Sequence, residues 1–144
     1  MSVNTEFYFN CSSSFETLTN SLVGTLGLRM SSKTSDAIHG VFLGMDWSLQ
    51  TDHGMLNTPP NLNFEDYDFV FDLSTPVGAA RMRHLQLPLA LCIIHCLHME
   101  GATDGVLTYD SQRVLARYAE GPQSTFVNEL RCDVKTVSEF VHKC

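Results

Sequence analysis

Cys92, His95 and Cys96 fall at i, i+3 and i+4 of one apolar stretch, with His98 two residues on. On a helix the first three share a face, and thiolate and imidazole are soft ligands suited to zinc. A closed zinc site needs four ligands, usually from two elements. No second pair of familiar spacing accompanies them, since Cys132, His142 and Cys144 are scattered. Free cysteine is among the most buried residue types, so core packing is the expected role of this group.

The carboxylates form the second chemical pattern. Between Thr34 and Ala80 the chain has no lysine or arginine but carries Asp36, Asp46, Asp52, Glu65, Asp66, Asp68 and Asp72. Residues 1–80 hold nine acids and two bases, and residues 81–144 seven of each, so the net charge of −7 arises in the first part. Asp46, Asp66, Asp68 and Asp72 could supply a general acid and base, if a cleft drove two of their pKa values apart. Calcium would require a tight D-x-[DN]-x-[DN]-G loop with a distal glutamate, and none is present. A solvated or partner-binding acidic surface is the simpler expectation. Such a field repels nucleic acid and anionic membrane and attracts basic partners.

The remaining chemistry is sparse. No G-x-S-x-G elbow or family-type cysteine signature surrounds any nucleophile. Cys11 lies beside a helix start that would lower a thiol pKa, although packing at the cap is its expected role. Gly24, Gly27, Gly40 and Gly44 match no phosphate-cradling loop. Five cysteines without a C-x-x-C pair argue for reduced thiols and a cytoplasmic location. No basic stretch followed by an apolar run opens the chain, so no signal peptide is expected. The apolar run Leu85–Leu97 is too short for a bilayer.

These residues must be carried by elements, and the periodicities suggest which. Thr5 to Phe9 reads as a strand. Ser13 and Glu16 fit a capping box, and Phe15, Leu18, Leu22 and Leu26 make one apolar helix face ending at Gly27. Residues 28–37 read as a loop. Val41, Leu43, Met45, Trp47 and Leu49 alternate with Gly40, Phe42, Gly44, Asp46 and Ser48, which predicts one strand with one buried face. Asp52-His53-Gly54 suggests a turn, Met55-Leu56 a short return strand and residues 57–61 a loop.

Tyr67, Phe69, Phe71 and Leu73 then alternate with Asp66, Asp68, Val70 and Asp72. If this strand pairs with the one bearing Asp46, the acids share a sheet face. Trp47 and Tyr67 are expected in the core, while Tyr8 and Phe42 fall on the opposite parity, as exposed contacts. Ser74-Thr75-Pro76 opens a helix running to Glu100, kinked at Pro88 and buried from Leu85 to Leu97. Gly105 to Tyr109 reads as a strand, and Asp110 or Ser111 as the cap of a short helix through Tyr118. Thr125 to Arg131 suits strand or helix, and Val134, Val137, Phe140 and Val141 a terminal helix. The expected fold is a single α+β domain over residues 1–144, a mostly antiparallel sheet with helices on one face, with 121–144 a possible appendage.

This layout resembles a known family. The aromatic first strand, the capped helix ending in Leu26-Gly27-Leu28, and Gly40-Val41-Phe42-Leu43-Gly44-Met45 carry the likeness. So do the acidic stretch into Tyr67-Asp68-Phe69-Val70-Phe71, the long helix, and Gly105-Val106-Leu107-Thr108-Tyr109-Asp110. Together they resemble small bacterial immunity proteins of contact-dependent growth inhibition and related polymorphic toxin systems, over roughly residues 5–118. The resemblance implies a non-enzymatic cytosolic protein without cofactor or metal, which binds a cognate toxin C-terminal domain and blocks its active site. A basic nuclease toxin would suit the acidic part of the chain. Charge and strand parity select Asp46, Asp66, Asp68 and Asp72 as contacts, with Asp52 and Glu65 from flanking loops. Two other classes stay open: a small acidic secretion chaperone, and a thiol- or metal-dependent enzyme using Cys92, His95 and Cys96.

Overall fold

The computed structural model describes residues 3–55, 64–110 and 113–118. Among the described residues seven strands form one antiparallel sheet: β1 (Val3–Cys11), β2 (Arg29–Lys33), β3 (Ala37–Phe42), β4 (Met45–Thr51), β5 (Phe69–Thr75), β6 (Ala102–Tyr109) and β7 (Arg113–Tyr118). Their order across the sheet is β2-β3-β4-β5-β1-β6-β7. Helices α1 (Phe15–Asn20) and α2 (Gln86–Met99) pack on one face, giving the α+β architecture expected from the chain.

That first face holds the main core. Phe7 and Phe9 of β1, Trp47 and Leu49 of β4, Phe71 and Leu73 of β5, and Leu107 of β6 meet Leu18 and Leu22 from the α1 side. Ile93, Ile94 and Leu97 of α2 complete it. The Trp47 indole donates to the Arg29 carbonyl at 3.1 Å and lies over Gly40, its cross-strand partner. A Cβ at Gly40 would collide with both, so glycine is required there.

Several elements differ from the periodicity. The alternating run 40–49 is not one strand but the β3–β4 hairpin, in which Phe42 opposes Met45 around Leu43-Gly44. Both turn residues have positive φ, 53° and 79°, as a type I′ hairpin requires. The two-residue turn preserves the predicted parity of β4 but reverses that of β3. Phe42 therefore leans on the core, while Val41 and Leu43 are exposed. Residues 29–33 form an edge strand rather than a loop, all five exposed and sustained by pairing with β3. The α1 cap is Ser14, accepting from the Thr17 amide at 3.2 Å, while Ser13 bonds the Glu100 carbonyl instead. A π-helical turn, Ser21–Thr25, extends α1.

The long helix begins later than expected. Val77–Leu85 is a 3-10 segment without a buried residue, and α2 proper starts at Gln86. Pro88 lies in the first turn of α2, where its missing donor has no intrahelical partner to lose, so it does not interrupt the helix. Gln86 fastens that end to the sheet: its amide donates to Thr5 Oγ1 at 2.7 Å and the Leu73 carbonyl at 3.1 Å, and Thr75 donates to its carbonyl. The helix expected to end at Tyr118 is strand β7, paired along β6. Asn57–Asn61 and the expectations beyond Gly121 lie outside the described residues.

Candidate functional site

The cross-strand register defines the second face of the sheet. One row across it reads His39, Ser48, Asp72, Glu6, Thr108 and Val114. The adjacent row on one side contains Val41, Asp46, Ser74 and Asn4, and on the other Gln50, Val70, Tyr8, Val106 and Arg117. β4 and β5 are neighbours, so Asp46 and Asp72 do share a face, as diagonal neighbours. Between them lies a hollow of about 200 Å³ lined by Asn4, His39, Asp46, Ser48, Asp72 and Ser74.

Part of this face is closed. Phe64, on a 3-10 turn (Phe64–Asp66), stacks on Tyr8 with ring centroids 4.1 Å apart, over Val70 and Val106. Tyr8 is therefore 2% exposed and belongs to a second, smaller core, not to an exposed contact. Tyr67 also packs there rather than beside Trp47. Burial raises its pKa, helped by Asp104 and Asp66.

The expectation that Asp66 and Asp68 lie on the strand with Asp72 is corrected. β5 begins only at Phe69, and the preceding chain turns away through Phe64–Asp66. Asn10 holds that turn: its side chain donates to the Asp66 carbonyl and accepts from the Asp68 amide, both at 2.9 Å. Asp52 and Glu65, both exposed, come from the turns flanking β4 and β5. Asp52, Glu65 and Asp68 then line a cavity of about 560 Å³ at this end of the sheet, with Asp66 alongside. No lysine or arginine is among the described residues lining it.

The six candidate acids therefore divide. Asp46 and Asp72 sit on the second face, while Asp52, Glu65, Asp66 and Asp68 gather at the sheet end. His53 shapes that end: Nε2 donates to the Tyr67 carbonyl at 2.8 Å and Nδ1 accepts from the Met55 amide at 3.0 Å. These two bonds select the tautomer with its N–H at Nε2.

Glu6 is the functional-type residue that periodicity missed. It is 4% exposed, directly opposite Asp72, and accepts from the Tyr8 hydroxyl at 3.1 Å. Its signal was parity, an acid alternating with Thr5, Phe7 and Phe9 on a strand too apolar to be an edge. Burial raises the Asp72 pKa to about 7, with Glu6 and then Asp110 adding to the shift.

The thiol and imidazole groups pack within the fold. Cys92 and His98 are buried on α2. His98 sits edge-on to Phe7, and burial, reinforced by His95, lowers its pKa to about 4. Burial raises the Cys96 thiol, with Glu100 adding to the effect. Cys11 is raised, not lowered: desolvation outweighs its bond from the Ser13 amide, so the helix start does not activate it. No group of three or more His, Cys, Asp or Glu among the described residues is arranged to hold a metal ion. No helix among them is long and apolar enough to cross a membrane.

No protein-family model, no curated protein and no solved structure matches this chain.

Proposed function

We propose that this chain is an immunity protein that captures a basic toxin domain, with the acidic end of its sheet as the main contact. The observation carrying this reading is the cavity edged by Asp52, Glu65 and Asp68, with Asp66 beside it and no cation in its described lining. Exposed carboxylates around a concave, mostly polar surface suit the lysine and arginine side chains of a nucleic-acid-cleaving enzyme. They would compete with phosphate for those residues and steer encounter electrostatically. Asp46, exposed on the second face, extends the same field. The layout resemblance supplies the class of partner, a cognate toxin C-terminal domain. Met55, exposed at the cavity wall, offers an apolar anchor beside the charges.

The test is binding to the toxin domain encoded beside the gene, across a salt series, with wild type and an Asp52→Lys, Glu65→Lys, Asp68→Lys variant. Association should slow about 10-fold or more in the variant and in wild type at high salt. Binding that ignores both changes would overturn the acidic-end contact while keeping the function. Absence of binding, with toxicity undiminished, would overturn the immunity reading itself.

A further inference from the structure

The two ends of the sheet differ in charge. β4 runs from the Leu43-Gly44 turn to Asp52, and β5 returns antiparallel from Phe69, next to Asp68, to Thr75. The turn and the Val77–Leu85 segment therefore lie about 20 Å from the acidic end, the length of the seven-residue β4. That segment is fixed at both termini, by Thr75 on one side and on the other by Gln86, bonded to Thr5 and Leu73. A Cβ at Gly44 would stand 3.4 Å from the Ala79 methyl, so the segment packs against the turn. Residues 73–99 contain no carboxylate, and Arg81 and Arg83 within them are exposed. Arg29 is exposed at the same end of β2, opposite Val41. Of the described carboxylates, Asp46 and Asp110 also lie toward this end, Asp46 on the second face and Asp110 bonded to the Asn4 amide at 2.8 Å. Val77 is 61% exposed, four residues before Arg81. A nine-residue 3-10 segment that buries none of its side chains gains little from this fold, and its valine and guanidinium are presented outward.

We propose that this end of the sheet docks into the acidic cavity of a second copy, so that the chain associates head to tail. Arg81 meets the carboxylates of Asp52 and Asp68, and Val77 meets the exposed Met55 on the cavity wall. Charge complementarity selects this occupant. A symmetric contact between two Arg81 ends would bring like charges together, and so would one between two acidic ends. The head-to-tail contact is heterologous: each pair leaves one end of either kind unused, so assembly grows with concentration. It does not rest on toxin capture, although both contacts use the acidic end.

Sedimentation velocity of the protein alone tests this, across a concentration series in about 50 and about 500 mM salt. The weight-average mass should climb above the monomer at low salt and return to it at high salt. A Val77→Asp, Arg81→Glu variant should stay monomeric by itself, as should an Asp52→Lys, Asp68→Lys variant. An equimolar mixture of the two should associate again, because each supplies the end that the other has lost. Wild type that stays monomeric throughout would overturn the proposal. So would a variant that associates by itself as wild type does, or a mixture that stays monomeric. All four side chains are exposed, and a urea midpoint near that of wild type verifies folding of each variant. If a double variant does not fold, Arg81→Glu or Asp68→Lys takes its place and is read in the same way.

Discussion

The two faces of the sheet are built from the same seven strands and obey different physics. On the first, two helices close over Trp47, Phe71, Leu49 and their neighbours, and Gln86 ties α2 to the sheet through Thr5, Thr75 and the Leu73 carbonyl. On the second, a short turn carrying Phe64 covers Tyr8, Val70 and Val106, and the neighbouring row keeps Glu6 and Asp72 at the centre of the sheet. The comparison teaches that stability is concentrated on one side, leaving the other free to carry charge and to respond to conditions.

Removing one large aromatic side chain from each core tests that contrast most directly. Trp47→Ala should cost about 3–5 kcal/mol and lower the urea midpoint of the whole protein, since the indole fills the first core and bonds the Arg29 carbonyl. Phe64→Ala should cost about 3 kcal/mol at most and act locally. Its expected signature is faster amide exchange in residues 64–68, with α2 and the central strands still protected. Equal global destabilisation by both changes would mean that the faces are one cooperative core.

The acid strip predicts an unusual pH dependence. A carboxyl whose folded pKa lies above its unfolded value binds its proton more tightly in the native state. The stability it lends is fully present below the unfolded pKa, near 3.8, and is lost as pH rises through the folded value, about 7 for Asp72. The full difference is up to about 4 kcal/mol. Wild type should therefore be more stable near pH 5 than near pH 8, opposite to a protein held by salt bridges. Asp72→Asn should be more stable than wild type at the higher pH and show little of this slope.

Gln86→Leu probes the junction between α2 and the sheet. The substitution keeps the bulk but leaves the Thr5 and Thr75 hydroxyls and the Leu73 carbonyl without their partner. A loss of about 1–3 kcal/mol is expected by denaturant unfolding. A neutral result would show that the helix is held by Ile93, Ile94 and Leu97 alone.

The first face was far more legible in the sequence than the second. Phe69, Phe71 and Leu73, or Met45, Trp47 and Leu49, report a buried strand face because burial on one side imposes a period of two. The β3–β4 turn was hidden for the same reason. Leu43-Gly44 continues the alternation in letters, and nothing local marks a hairpin unless Gly44 is read as a turn glycine following a residue forced to positive φ. β2 was invisible because an exposed polar edge strand owes its form to its neighbour. β7 was misread because short segments depend on tertiary pairing more than on propensity. The candidate acids were identified by composition, but their grouping was not: whether Asp66 and Asp68 belong with Asp72 depends on where β5 begins. Asn10, far away in sequence, holds the turn that sets that point. Glu6 required knowing that β1 lies next to β5.

The smallest expected effect concerns the hairpin tip. Leu43 has φ of 53° and is about half exposed, so it gains little burial in return for its backbone strain. A branched apolar residue in the left-handed region costs about 1 kcal/mol relative to residues that tolerate it. Asn-Gly is the favoured pair for this turn. Leu43→Asn should therefore stabilise the free protein by up to about 1 kcal/mol, read as a higher urea midpoint with unchanged slope. Its turn partner Gly44 lies against Ala79, in the segment that also carries the exposed Val77. If Leu43→Asn stabilises the free chain yet weakens toxin binding, the strained leucine is retained for contact, and the interface reaches the sheet end opposite Asp52 and Asp68. If binding is unaffected, the contact stays at the acidic end and the leucine is only a local strain.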